Sequence, residues 1–240
     1  LTLGELVPDP AERDRLDGFA LSYPESTGRD SLRRNIARFY GSNDLNGTLV
    51  VNGGSEANYI STWGLVGPGD RVAVMIPNYL QTRGLARAYG READNFNLVM
   101  KRRPGGGFGW QLDIDSLRNS VSKKTKLIVV TNPNNPTGTY IPHDEVRRLH
   151  AGLPDDVLLV LDAAYAEYVR RNDYESGIEL VSSSTNVIMT RTFSKIHGLA
   201  GLRVGFGFSH PDLAAEINRR MTGTVNIIGM RAALASYRDK

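Results

Sequence analysis

Cysteine is missing altogether from the 240 residues. That absence excludes disulfide frameworks, thiolate nucleophiles and cysteine-held zinc, and it is compatible with a reducing compartment. Long hydrophobic runs are missing too: no stretch reaches the roughly 18 apolar residues of a membrane span. Nor does a charged start lead into an apolar core and a small-residue cleavage site, so no secretory signal is visible. Charge of one sign is scarce, since 29 basic and 26 acidic side chains leave a net charge of +3. The basic clusters Lys101-Arg102-Arg103 and Arg219-Arg220 are short and isolated, which is a poor electrostatic footprint for nucleic acid. Repeats and low-complexity linkers are absent. What remains, 40% apolar and 23% charged with 25 Gly and 11 Pro, is ordinary globular composition. The expectation is a cytoplasmic protein with no metal, no nucleic-acid partner and no membrane partner.

From residue 48 onward short β-branched runs alternate with stretches of helical period, the pattern of a parallel sheet covered by helices. Strands are expected at Thr48–Val51, Arg71–Ile76, Asn95–Met100, Lys126–Thr131, Val157–Asp162, Asn186–Thr190 and Arg203–Phe208. Runs such as Leu127-Ile128-Val129-Val130 are apolar throughout and belong to strands buried on both faces. Helices are expected at Asp30–Tyr40, Glu56–Val66, Tyr79–Tyr89, Ile114–Val121, Asp144–Leu153 and Pro211–Met221. Gly67-Pro68-Gly69-Asp70 reads as a turn. The chain thus reads as an α/β domain of at least seven strands behind an N-terminal arm. It opens on Leu1 and closes at Lys240 in what reads as an unfinished helix.

Ligands of such sheets bind beyond the carboxyl ends of the strands, so the loops there carry the functional information. Asn52-Gly53-Gly54-Ser55-Glu56 opens a helix and suits a phosphate through free backbone N–H groups, or is simply a glycine turn with Ser as cap. Glu56 would repel an anion if its side chain pointed inward, leaving only its N–H to help. Tyr79, after the second strand, could stack on a planar ligand or pack against neighbours. Thr131-Asn132-Pro133-Asn134-Asn135-Pro136-Thr137-Gly138-Thr139 is a rigid polar loop, either a holder or a structural Asx-turn. Asp162 ends a fully apolar strand and calls for a cation, a ligand's or an arginine's. Thr190-Arg191-Thr192-Phe193-Ser194-Lys195 places a lysine just past a strand among hydroxyls, where partial burial frees the amine for Schiff-base chemistry. His197 reads as a flank of the site rather than an acid or base.

In this order, Asn134-Asn135-Pro136-Thr137-Gly138, Asp162-Ala163-Ala164-Tyr165 and Ser194-Lys195 followed by Arg203-Val204-Gly205 resemble the signature loops of the fold type I pyridoxal-phosphate enzymes, specifically the class I/II aminotransferases. The resemblance covers about residues 20–240, and residues 161–206 are most similar to the histidinol-phosphate aminotransferases. It implies a three-layer sandwich with a mostly parallel seven-stranded sheet, in which residues 1–44 form an arm and helix and residues 45–240 the cofactor-binding large domain. A smaller C-terminal domain, with the arginine for the substrate carboxylate, would then lie beyond this chain.

The resemblance further implies pyridoxal 5'-phosphate as cofactor, held by Lys195 as a Schiff base. Asp162 would pair with the ring nitrogen. Tyr165 and Asn135 would bond the phenolic oxygen, and Tyr79 would stack on the ring. The phosphate would be held by the N–H groups of Gly54, Ser55 and Glu56, the hydroxyls of Thr192 and Ser194, and the fork of Arg203. Tyr23 matches a tyrosine that reaches the neighbouring subunit's phosphate, implying a homodimer with shared sites. The expected reaction moves an amino group from a small-molecule amino donor to a keto acceptor, with histidinol phosphate and 2-oxoglutarate as a candidate pair. Decarboxylation, elimination or cyclisation on the same scaffold, or a non-catalytic cofactor-binding domain, stay open at this point.

Overall fold

The computed structural model describes residues 5, 7–18, 20, 22–88, 92–102 and 105–237. Leu1, Tyr89, Arg103 and residues 238–240, named above, lie outside the described residues. In chain order the elements are α1 (Pro10–Asp17), α2 (Asp30–Phe39), β1 (Thr48–Val51), α3 (Gly54–Gly64), β2 (Arg71–Ile76), α4 (Leu80–Ala88), β3 (Glu92–Arg102) and β4 (Phe108–Leu112). They continue as α5 (Ile114–Ser120), β5 (Thr125–Thr131), α6 (His143–Ala151), β6 (Leu158–Asp162), α7 (Ile178–Ser183), β7 (Val187–Thr192), β8 (Gly205–Ser209), α8 (Pro211–Asn218) and α9 (Ile227–Ser236).

The strands form one sheet in the order β1-β8-β7-β6-β5-β2-β3-β4. The strands β1, β2, β3, β5, β6 and β7 run one way, and β4 and β8 run the other. Among the described residues the sheet has eight strands, one more than the seven named from sequence and in keeping with the reading of at least seven. The extra one, Phe-Gly-Trp-Gln-Leu, forms an edge hairpin with β3 after the Gly105-Gly106-Gly107 turn. With solvent on one side it lacks the continuous apolar run that marks the interior strands.

Helices cover both faces. On one face the sheet packs Ile128, Val130, Leu159, Leu161, Val187 and Met189 against Leu32 and Ile36 of α2 and residues of α5, α6, α7 and α9. On the other, Val72, Val74, Val129 and Val160 form one cluster. Beside it Leu49, Val51 and Ile188 pack with Ala57 and Ile60 of α3 and Ile217 of α8. Because side chains alternate along a strand, Asp162 shares the face of Val160, and Thr190 and Thr192 share that of Ile188. All three point to the side where α3 lies. Helix ends follow local chemistry: Asp113 caps α5 by accepting from the N–H groups of Asp115 and Ser116 at 3.1 Å each, and Asn226 caps α9 by accepting from Gly229 N–H at 2.6 Å. The Gly67–Asp70 turn forms as expected, with Gly69 at φ +85° and Asp70 Oδ2 accepting from Gly67 N–H at 2.7 Å.

Candidate functional site

The reversed direction of β8 builds the first half of the site. Gly205 pairs with Val51 at the carboxyl end of β1 and with Thr192 at the carboxyl end of β7. The residues just before β8 therefore reach the same rim as the loops that follow β1 and β7. Arg203 makes that turn at φ +53°, a conformation few residues with a Cβ adopt. Its Nη1 donates to Ser194 Oγ at 3.3 Å and to the Ala200 carbonyl at 3.1 Å, and its Nη2 donates to Asn52 O and Ser55 Oγ at 3.5 Å each. The guanidinium, Ser194 and Ser55 are thus within one anion's reach of each other, and Thr192 Oγ1 accepts from Ser194 N–H at 3.1 Å.

Gly53 stands before α3 at φ +82°, and a Cβ there would meet Arg203 Nη2 at 2.4 Å. Only glycine fits. The helix opens at Gly54, so the N–H groups of its first turn face the rim with the positive end of the helix dipole. Glu56 does not compromise this positive field: its Oε2 accepts from Asn52 N–H at 2.6 Å and from Asn52 Nδ2 at 3.0 Å. The carboxylate is folded back on the preceding loop, and the residue's own N–H donates to the Gly53 carbonyl at 3.0 Å, so of the expected N–H donors Glu56 is already engaged within the turn.

Asp162 ends β6 at 8% exposure. Asn58 Nδ2 of α3 donates to its Oδ2 at 2.8 Å, and Ala164 N–H donates to its Oδ1 at 3.2 Å. Burial raises the Asp162 carboxyl above the ordinary range, against the lowering effect of these donors and of the Lys195 and Arg191 charges. Its hydrogen-bond partners are an amide and a backbone N–H. The arginine that would have made it a structural ion pair is engaged elsewhere: Arg191 faces the opposite side of the sheet, paired with Glu167. Among the described residues no cation is bonded to the buried Asp162 carboxylate.

Lys195 is exposed on the loop after β7, its Nζ 5.0 Å from the centre of the Tyr165 ring. Tyr165, half-buried, follows Asp162 on the next loop. The loop after β5 is locked by its own asparagines. Asn132 exchanges two bonds with Ile141, and Asn134 accepts from the Thr137 hydroxyl at 2.6 Å while donating to the Pro77 carbonyl at 2.9 Å. That last bond ties it to the loop of Tyr79, which is 44% exposed. Asn135 is left half-buried at the rim. Gln81 Nε2 of α4 donates to the Ser55 carbonyl at 3.0 Å, fixing the Tyr79 loop to the glycine loop.

The structure therefore gathers Gly54, Ser55, Glu56, Thr192, Ser194 and Arg203 on one part of the rim, with Asp162, Tyr165 and Lys195 beside them. Tyr23 is 95% exposed, and no contact among the described residues ties it to this rim. His197 packs on Phe193 with ring centres 4.9 Å apart. Three contributors were missed from sequence: Asn58, Gln81 and the close approach of Gly205. The one available signal was an asparagine on the buried side of an otherwise apolar helix turn, Ala57-Asn58-Tyr59-Ile60.

A search of protein families matches residues 10–240 to the model of aminotransferase class I and II. The chain belongs to this family. Among curated aminotransferases, the histidinol-phosphate aminotransferase of Rhodopseudomonas palustris strain BisB18 is 42% identical over 221 residues, covering 90% of this chain and 57% of that protein. The protein of the same name from strain BisB5 is 43% identical over 218 residues, with the same coverage. The chain thus spans little more than half the length of these relatives. Among solved structures, histidinol-phosphate aminotransferase from Sinorhizobium meliloti in complex with pyridoxal-5'-phosphate superposes with a TM-score of 0.82 at 27% identity, covering 94% of this chain and 59% of that one. Aspartate aminotransferase from Thermotoga maritima shares the fold at a TM-score of 0.84 and 23% identity, covering 99% of this chain and 64% of that one. No helix among the described residues is long and apolar enough to cross a membrane.

Proposed function

We propose that this chain is the cofactor-binding portion of a pyridoxal-phosphate-dependent aminotransferase. The observation that carries the reading is Asp162, a buried carboxylate bonded to neutral donors and set on the same rim as a lysine and an anion cradle. The residues fit that cofactor. A protonated ring nitrogen is the cation Asp162 lacks, and a phosphate suits the Gly53–Glu56 backbone with Thr192, Ser194 and Arg203. When bound, pyridoxal phosphate supplies an electron sink for the pair left at a substrate's α-carbon.

The chain's own residues do the rest. Lys195 Nζ is the covalent attachment point, and its freed amine takes and returns the α-carbon proton. Asp162 holds a proton on the ring nitrogen. Tyr165 and Asn135 donate to the phenolic oxygen, and Tyr79 covers the ring face. Arg203 and the N–H groups of Gly54 and Ser55 anchor the phosphate, the Glu56 N–H being held by the Gly53 carbonyl. Tyr23, free of the site of its own chain, serves the phosphate of a second copy, so the functional unit is a homodimer. Histidinol phosphate with 2-oxoglutarate is the proposed substrate pair, supported by the 42% and 43% identities to proteins of that name.

Adding pyridoxal phosphate to the purified chain should produce the absorbance band of lysine-bound cofactor, which Lys195→Ala loses. Glutamate or histidinol phosphate should then bleach the band with release of the matching keto product. A band that persists in Lys195→Ala overturns the attachment, and release of carbon dioxide or ammonia overturns transamination.

A further inference from the structure

The buried pair of Asn58 and Thr190 has no part in the scheme above, yet it is built onto the residue that carries it. Asn58 is 3% exposed and Thr190 fully buried. Thr190 Oγ1 donates to Asn58 Oδ1 at 3.0 Å, and Asn58 Nδ2 donates to Asp162 Oδ2 at 2.8 Å. A carboxylate only accepts, so the amide must present its NH₂ to Asp162 and its oxygen to Thr190, whose hydroxyl must then donate. Direction along the chain Thr190, Asn58, Asp162 is thereby fixed.

An asparagine is a poor choice here on every local ground. It is disfavoured in a helix interior, and its amide is costly to bury among Ala57, Ile60 and the sheet without partners. It joins three elements, α3, β6 and β7, through its bonds to Asp162 and Thr190. We propose that Asn58, oriented by Thr190, is the positioning residue that aims the Asp162 carboxylate and stabilises its charged form toward the ring nitrogen of the cofactor. This rests on the reading of Asp162 given above.

The consequence is a proton location. Charged groups acting on Asp162 are Lys195 from the loop after β7 and Arg191 from β7 itself; α3 contributes only the neutral amide. Without that amide the carboxylate becomes more basic and draws the proton from the ring nitrogen to itself. A ring without its positive charge would withdraw less, and Lys195 Nζ attached to it would hold its proton to higher pH.

The test uses the full chain loaded with pyridoxal phosphate, its lysine-bound band followed against pH, with cofactor affinity from equilibrium titration. Asn58→Leu should move the midpoint of the band upward by about one pH unit and weaken cofactor binding about tenfold. Thr190→Val, which leaves Asn58 in place but without its orienting donor, should move both in the same direction by less. In an Asp162→Asn background, Asn58→Leu should leave the midpoint where that background puts it. Unchanged midpoint and affinity in both Asn58→Leu and Thr190→Val, with only a lowered melting temperature, would make Asn58 a packing residue and overturn the proposal. Should Asn58→Leu fail to fold, Thr190→Val decides alone. A wild-type chain that forms no band overturns the cofactor reading itself, an outcome distinct from a normal wild-type band that the variants fail to shift.

Discussion

Gly205 and Gly54 touch through their backbones: a Cβ added to Gly205 would stand 2.3 Å from the Gly54 nitrogen, 2.5 Å from the Gly53 carbonyl carbon and 2.7 Å from the Arg191 oxygen. These neighbours are main chain of β7, of the glycine loop and of the start of α3, so none can swing aside.

Gly205→Ala should accordingly cost about 3 kcal/mol, the upper range for overpacking, and should weaken pyridoxal phosphate binding because the displaced atoms belong to the anion cradle. Gly207→Ala, two residues on, is the control. There a Cβ would meet only Ile188 Cγ2 at 3.9 Å and Ala57 Cβ at 4.0 Å, and its melting temperature should stay close to wild type. Thermal unfolding of both variants checks the contrast; equal effects refute it.

Arg203 offers a planar fork from a left-handed backbone position, with Ser194 and Ser55 beside it. Lysine keeps the charge and loses the fork. Arg203→Lys should weaken cofactor binding about tenfold and Arg203→Ala about a hundredfold, as expected for hydrogen bonds to charged groups of roughly 1.5–3 kcal/mol. Equilibrium titration with pyridoxal phosphate measures both. Wild-type affinity in Arg203→Ala would remove this residue from the phosphate site.

Asp162 sets a trade between stability and chemistry. Burial holds its carboxyl above the ordinary value, so the folded protein binds this proton more tightly than the unfolded chain does. Stability linked to that proton is present at low pH and is lost as pH rises through the two titrations. Without cofactor, Asp162→Asn should therefore melt higher than wild type at neutral pH, with the gap closing in acid where both side chains are uncharged. The same variant should lose at least about a hundredfold in half-reaction rate, the scale of one misplaced proton in catalysis. Melting scans across pH and single-turnover kinetics test the two halves; a variant less stable at pH 7 refutes the first.

Beneath the site, Arg191 at 5% side-chain exposure pairs with Glu167, and its guanidinium carbon lies 5.8 Å from the centre of the Tyr40 ring. Tyr40 stays neutral, its hydroxyl pushed up to about 12 by burial. Burial acts to raise the Glu167 carboxyl, but His197, 3.8 Å away and beyond hydrogen-bond reach, and Arg191 overcome it and hold the carboxyl low. For a lowered carboxyl, the stabilisation is present above the unfolded titration and is lost as pH falls through the folded one. Glu167→Gln should cost about 3 kcal/mol near neutral pH by leaving Arg191 unpaired. The difference from wild type should shrink as the pH falls below the ordinary glutamate range. Denaturant unfolding at neutral and acid pH provides the measurement, and a pH-independent cost would refute the ion-pair account.

Much of the site was legible because its chemistry contradicts its surroundings. A carboxylate closing Leu158-Leu159-Val160-Leu161-Asp162 is costly without a partner, and local sequence exposes that cost; the lysine among hydroxyls at Thr192-Phe193-Ser194-Lys195 and the glycine pair before a helix stand out by residue type and by their place after a strand. Asn58 carries only the faint mark of an amide in an apolar helix turn, and nothing local names its partner, which lies 104 residues away. It meets Asp162 only because one face of α3 lies over one face of β6. The orientation of the Glu56 carboxylate was equally invisible: attraction to Asn52 and repulsion from an anion are both compatible with the same five letters. The edge strand β4 escaped notice because half of it faces solvent, which removes the apolar continuity that betrays an interior strand.

Alternation of apolar runs and helical periods, read from the letters alone, determined the fold class, the strands of the sheet interior and the loops that hold Lys195, Asp162 and Arg203. These follow from backbone periodicity and from desolvation, which act within a few residues. Tertiary structure alone decided that β8 runs backward, carrying Arg203 to the glycine loop, and that Asn58 reaches Asp162. Those outcomes depend on strand order and register, and strand order is chosen by the packing of the whole chain rather than by any segment of it.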